Sequence, residues 1–262
     1  MPRFPLTLAE SGPGVRPYLE CALLPGGRLP GQLIGIGENY WPDPVAGIGL
    51  PPSPGPAGGT APDRRAPGRI PLVFGKFSGS LAGNGQPIVL GPARDGSVVC
   101  EGELAVVVGG VLKDAHSAEA ALAAVAGVTV ANDVSARDLQ AADVQSTRGK
   151  SLDTFCPLGP ELVTLDEIPD LQALRLVTTI NGSVVQESCT SSMVFSVAEL
   201  LVFCSRFMTL YPGDVILTGT PWVADESVLQ LRPGDTVAVE IDGVGMLSNS
   251  VARSVSPPVK GS

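Results

Sequence analysis

"VCEGELAVVVGG" (Val99–Gly110) runs two glutamates straight into an apolar segment. Residues 104–108 are aliphatic and mostly β-branched, and Gly109 and Gly110 close the run, which is the pattern of a buried strand. In an extended chain residues i and i+2 point the same way, so Glu101 and Glu103 share a face. Two carboxylates side by side at the mouth of a buried strand repel each other and resist desolvation. Such a pair needs a counter-charge or open water.

Composition narrows what surrounds that strand. A chain of 262 residues can bury a large core, and 44% hydrophobic content with 5% aromatics marks an ordinary globular protein rich in small aliphatics. Thirty-two Gly and 25 Pro imply many turns, as in a β-rich fold with long connections. A net charge of −9 without a Lys/Arg stripe argues against a nucleic-acid partner. Lysine is scarce: Lys76, Lys113, Lys150 and Lys260 are the full set, so each invites its own question. Cys21, Cys100, Cys156, Cys189 and Cys204 are scattered without CxxC pairs, which predicts small buried thiols in a reducing compartment and no catalytic cysteine. The N-terminus lacks an apolar signal core and no apolar run reaches membrane-spanning length. These features predict a cytoplasmic protein with no membrane partner.

Along the chain, residues 1–69 form a small N-terminal region. It holds short apolar runs at 18–24 and 33–36, then a segment, 42–69, in which half the residues are Pro or Gly. A connection of that length and composition is either a surface insertion or a lid. From residue 70 to 262 the chain predicts one continuous domain. A helix is expected over 114–126, with Ser117 as N-cap and Gly127 as its end, followed by a short strand at 128–131. A second helix opens at the capping-box pattern Ser196-Val197-Ala198-Glu199 and should stop at Pro212-Gly213. Strands are expected at 174–180, 214–217 and 236–241, the first leading into the turn pair Asn181-Gly182. Strands outnumber helices and do not alternate regularly with them.

Three further polar groups join the glutamates. "ANDVSARDLQ" puts Asp133 directly after an apolar strand, with Arg137 and Gln140 following on a helix. "RGKSLDTFCPLGP" carries Lys150 and Asp153 in what looks like a loop, and "GDVILTGTP" delivers Thr218-Gly219-Thr220 into a turn. Two readings of the glutamates are open at this point: an exposed strand end with solvated carboxylates, or a hard divalent cation shared with a third carboxylate. Mg²⁺ needs only two or three carboxylates at ~2.1 Å, with water or substrate completing its octahedron. Asp133 is the natural third ligand because it too leaves a strand end. Clusters of Cys and His are absent, which disfavours zinc or copper.

Six segments together resemble the fumarylacetoacetate hydrolase family. They are "EGELAVVVGG", "VAGVTVANDVSARDLQ", "GKSLDTFCPLGPELVT", "TTINGSVVQ", "LYPGDVILTGTP" and "LRPGDTVAVEIDGVGMLSN", in the family's order over roughly residues 70 to 250. The resemblance implies the α+β class, as a mixed β-sandwich roll with a few short helices, usually a homodimer. It implies Mg²⁺, or Mn²⁺ or Ca²⁺, held at Glu101, Glu103 and Asp133. By motif position Arg137 and Gln140 would face substrate oxygens, Lys150 would lie beside the metal, and Thr220 would contact a substrate carboxylate. Residue chemistry agrees: a guanidinium fork suits a carboxylate, and a lysine beside a cation should have a lowered pKa and donate to an enolate oxygen. The competing reading for Arg137 and Lys150 is a structural ion pair with Asp138 or Asp153.

The chain departs from the family at one place. Members that hydrolyse carbon–carbon bonds resemble one another in Asn-Tyr-x-x-His-x-x-Glu, whose His/Glu pair activates water. Here "ENYWPDPVA" keeps Asn39 and Tyr40 but has Asp43 and Ala46 in place of the pair. The single histidine, His116, stands just ahead of Ser117 and the alanine-rich body of the predicted helix. A positioned base typically contributes 10²–10⁴-fold, so its loss turns the expectation from hydrolysis toward enolate chemistry. The chain is then expected to act on a 2-oxo acid or β-dicarbonyl compound through a metal-bound enolate, as a tautomerase, isomerase or decarboxylase. Tyr40 or Asp43 would take part under the 42–69 segment. Two alternatives stand beside it: an acylpyruvate-type hydrolase using Asp43, and a weakened relative serving as a ligand-binding or dimerisation subunit. Trp222 and Val223, where the family has glycines after Thr220-Pro221, should reshape the pocket edge.

Overall fold

The computed structural model describes residues 3–9, 18–20, 30–41 and 68–253. Asp43, Ala46 and nearly all of the expected 42–69 insertion lie outside them, as does Cys21. Two sheets carry the architecture, with a few short helices at their margins, so the expected α+β class is the class observed.

The larger, mixed sheet has eight strands. Its main order is Arg3–Pro5, Cys156–Val163, Val125–Asn132, Gly102–Val108, Val215–Leu217, Leu33–Gly37 and Leu72–Lys76, with Leu81–Ala82 pairing alongside Cys156–Val163. Leu33–Gly37, from the N-terminal region, is thus inserted between Val215–Leu217, its parallel partner, and Leu72–Lys76. The second sheet runs Ser183–Cys189, Arg175–Ile180, Thr236–Ile241, Gly245–Ala252 and Ile88–Val89.

Every residue of Gly102–Val108 is buried. Leu104, Val106 and Val108 enter one apolar cluster together with Val128, Val130 and the buried face of the helix Val197–Phe207. Ala105 and Val107 enter a second cluster on the opposite face, with Ala131, Leu158 and Leu217. Period-2 alternation therefore assigns Glu101 and Glu103 to the Ala105/Val107 face, as expected. Gly102 between them faces the other sheet, where a Cβ would overlap the Thr178 hydroxyl and lie 2.9 Å from Val239 Cγ1.

Three expected elements change. The helix at 114–126 contracts to Ala118–Leu122. Ser117 does cap it, accepting from the Ala120 N–H at 3.1 Å. Beyond it, however, the Gly109 and Gly110 N–H groups both donate to the Ala124 carbonyl (2.7 and 3.0 Å), and the chain goes straight into strand. Gly127 is not a helix end but a strand residue whose Cβ would meet the Val163 carbonyl oxygen at 2.5 Å. The second helix begins with both capping-box bonds but ends at Phe207, ahead of Pro212, because Leu210 exchanges backbone hydrogen bonds with Leu112 (2.9 Å each). Finally, Lys150 is not in a loop: it closes the short helix Thr147–Lys150 and is buried. Asn181 and Gly182 both have positive φ (52° and 79°), the geometry that a two-residue hairpin turn requires. No helix among the described residues is long and apolar enough to cross a membrane.

Candidate metal-binding active site

The antiparallel pair Gly102–Val108 and Val125–Asn132 sets the site. In its register Glu103 lies opposite Ala131, and the Asp133 N–H donates to the Glu101 carbonyl at 2.8 Å. Asn132 seals the other side by accepting the Glu101 N–H on its Oδ1 at 2.9 Å. Asp133 follows Ala131 by two residues, so all three carboxylates emerge on the same face. One oxygen from each of Glu101, Glu103 and Asp133 lies within 4.8 Å of the other two, and all three residues are buried. The solvated strand end is thereby excluded.

A buried lysine and a half-buried arginine answer these charges. Lys150 Nζ donates to Glu101 Oε2 (2.6 Å) and Asp133 Oδ2 (2.5 Å), bridging two of the three carboxylates. It also lies 5.0 Å from the centroid of the Phe74 ring. Arg137 Nη2 donates to Glu101 Oε1 at 2.6 Å. Neither residue pairs with Asp138 or Asp153; Asp138 instead accepts from the Ser97 hydroxyl and the Arg94 N–H. Gly149 makes the approach of Lys150 practicable, since a Cβ there would sit 2.6 Å from Gln140 Cγ and 2.8 Å from the Ala136 carbonyl oxygen.

Three groups belong to this cluster without being expected. Lys76, at the end of Leu72–Lys76, donates to Asp133 Oδ1 (2.5 Å) and the Phe155 carbonyl (2.9 Å), fully buried. Gly219 donates its N–H to Glu103 Oε2 at 2.6 Å from a left-handed backbone (φ 98°), and a Cβ there would lie 2.7 Å from Asn39 Cβ. Gln186 donates to the Thr220 hydroxyl oxygen (3.0 Å) and the Pro221 carbonyl (2.8 Å), fixing the turn. The scarcity of lysine was the available signal for Lys76, and "VVQ" in the second sheet was the signal for Gln186.

Burial alone would raise the Glu101 carboxyl, but the Lys150 and Arg137 charges hold it down at about 2. Glu103 goes the other way: burial and the neighbouring Asp133 charge push it well above the usual carboxylate range, against Lys150 and the Gly219 N–H. Burial would lower Lys150, yet the charges of Asp133, Glu101 and Glu103, with no cation between them, hold it above the ordinary lysine value. Hard oxygen donors on one face, with Glu103 lacking an ion-pair partner among the described residues, fit a divalent cation such as Mg²⁺ or Mn²⁺.

A cavity of about 400 Å³ opens above this cluster. Ile36, Leu72 and Phe74 form one wall and Pro221, Trp222 and Val223 another; Arg137, Gln140, Lys150 and Thr220 supply polar atoms. Tyr40 is not among the lining residues. It is fully buried, and burial together with the Glu103 charge pushes its hydroxyl pKa up. Its neighbour Asn39 ties three segments together, donating to the Thr218 and Phe195 carbonyls (2.7 and 3.0 Å). His116 is exposed beside its short helix. Burial pushes Cys100, Cys156 and Cys204 up to about 12, which leaves them inert thiols.

A buried carboxylate triad at the end of two paired strands, opening into a cavity edged with cations on a mixed β-fold, offers a donor set that could hold a divalent cation. Residues 53–252 match the fumarylacetoacetate (FAA) hydrolase C-terminal family, and the chain belongs to that family. The human protein named oxaloacetate tautomerase FAHD2B, mitochondrial, is 46% identical over 187 residues, covering 69% of this chain and 59% of that protein. The chain thus spans about three-fifths of the length of that relative. Among solved structures, 5-carboxymethyl-2-hydroxymuconate delta-isomerase from Mycobacterium smegmatis is 34% identical with a TM-score of 0.72, over 96% of this chain and 99% of that one. Maleylpyruvate hydrolase from Sphingobium sp. SYK-6, in complex with manganese (II) ion and pyruvate, is 27% identical with a TM-score of 0.67, over 86% and 72%.

Proposed function

We propose that this chain is a divalent-metal-dependent enzyme that interconverts keto and enol forms of a 2-oxo acid, with a 2-oxo dicarboxylate of the oxaloacetate kind as substrate. The observation that carries the reading is the buried triad Glu101, Glu103 and Asp133 beneath a cavity with Lys150 at its floor. The names of a tautomerase and an isomerase among its relatives agree with it. When bound, a cation such as Mg²⁺ would polarise the 2-oxo carbonyl as a Lewis acid. The rest falls to the chain. Lys150 offers an N–H at Nζ to the oxygen on which enolate charge develops. Arg137 and Gln140 orient carboxylate oxygens. Thr220 accepts from Gln186 and therefore has its own hydroxyl proton to donate into the cavity. Phe74, Trp222 and Val223 limit water around the reacting carbons. For assembly we propose the homodimer implied by the family, and sedimentation of the purified chain tests it.

The deciding experiment is proton NMR in D₂O with Mg²⁺ and oxaloacetate, against metal-free and protein-free controls. Metal-dependent deuterium exchange at C3 without cleavage is expected; no acceleration would overturn the reading. Loss of CO₂ would mark a decarboxylase. The likeness to maleylpyruvate hydrolase keeps carbon–carbon hydrolysis as a second reading. Cleavage of an acylpyruvate that collapses in Asp43→Asn would establish it in place of the first. Saturable ligand binding with no product would leave a binding subunit.

A further inference from the structure

At the mouth of the cavity Arg137 is already occupied. Its Nη2 holds buried Glu101 at 2.6 Å and its Nη1 holds Gln140 Oε1 at 2.8 Å. Its Nε and Nη2 also reach across to Glu226, contacting Oε2 and Oε1 at 3.1 Å each. A guanidinium has five N–H groups, and these four contacts leave one. A ligand carboxylate can therefore take the fork in bidentate fashion only if a present partner lets go. Glu101 is anchored a second time by Lys150 and its side chain is only 7% exposed. Gln140 is neutral and sits on Arg137's own helix, Arg137–Ala142. Glu226 has the longest bonds, a side chain 59% exposed, and a place on the short helical turn Glu226–Leu229 just after the Trp222-Val223 wall. It is the partner that can swing into water at least cost.

We propose that Glu226 is a built-in stand-in for a ligand carboxylate: it fills the Arg137 fork at the cavity mouth and is exchanged for the second carboxylate of an incoming dicarboxylate. This deepens the reading of the site as one for 2-oxo dicarboxylates and rests on it. Exchange of one carboxylate for another keeps the charge around Arg137 constant. A monocarboxylate has nothing to exchange and leaves the Arg137–Glu226 pair closed. Glu226 thus acts as an internal competitor that weakens dicarboxylate binding and sets the preference between the two ligand classes.

The test is calorimetry on the Mg²⁺-loaded full chain with two unreactive probes, malate and lactate, which share a 2-hydroxy carboxylate and differ in the second carboxyl group. In Glu226→Gln malate should bind about threefold tighter, the scale of an exposed ion pair removed, while lactate stays within measurement error. Unchanged malate binding overturns the proposal. So does equal tightening of both probes, which would be a general effect of removing a negative charge, and so does failure of the variant to bind malate at all. With oxaloacetate the change should appear in KM rather than kcat. If neither protein accelerates C3 exchange but the malate shift is present, the enolisation reading fails while the role of Glu226 stands.

Discussion

The floor and the mouth of the cavity use the same chemistry in opposite settings. At the floor Lys76, Lys150 and Asp133 pair with side chains 0 to 5% exposed, and each ammonium has a second partner. At the mouth Arg137 and Glu226 pair at 32% and 59% exposure. A buried ion pair is held because breaking it strands a charge, whereas an exposed one loses little when water takes over. The floor is therefore a fixed electrostatic frame, and the mouth is adjustable.

Lys76→Met attacks the frame at its deepest point, and should show the largest effect. It leaves Asp133 with Lys150 alone, and the expected loss is about 3–5 kcal/mol of stability, measured by urea denaturation. A loss below about 1 kcal/mol would erase the contrast between floor and mouth. Glu103→Ala removes one donor from the triad and should abolish metal-dependent C3 exchange, by at least about 100-fold. Survival of turnover would undo the metal-site assignment.

Adding Mg²⁺ sharpens the comparison. At about 100 times its dissociation constant it should stabilise the protein by about 2.7 kcal/mol, read as a rise in Tm. The pH dependence has a definite sign. Burial and Asp133 raise the folded-state Glu103 carboxyl, so in metal-free protein its contribution is present below the unfolded value near ~4.3 and lost as pH rises through the raised one. The cation displaces that proton, so stabilisation by Mg²⁺ should grow with pH. A flat profile would mean that Glu103 is not a ligand. At the small end stands Arg148→Ala, which breaks an exposed pair with Asp143 beside the same helices. It should leave the denaturation midpoint unchanged within error.

The comparison also explains which parts were legible in sequence. The triad was, because its geometry follows from local rules: i, i+2 on one strand and a strand end on its neighbour. The capping box at Ser196 and the Asn181-Gly182 turn were local too. Lys76 was not, because its partner Asp133 is 57 residues away and "LVFGK" looks like any edge strand. The helix at 114–126 was overextended because alanine propensity is a weak prior, and here tertiary pairing of Ala124 with Gly109 and Gly110 prevailed. The Arg137–Glu226 contact joins residues 89 apart, with no pattern to announce it. Asp43, on which the choice between isomerase and hydrolase turns, lies outside the described residues.

Gly102 has a consequence beyond its own position. Because it carries no side chain, Thr178 and Val239 of the second sheet press directly against the backbone between Glu101 and Glu103. Both glutamates hang from that one peptide segment, so they move as a pair when it moves. The seat of both carboxylates is thus set from behind, by the packing of the second sheet on a residue without a side chain.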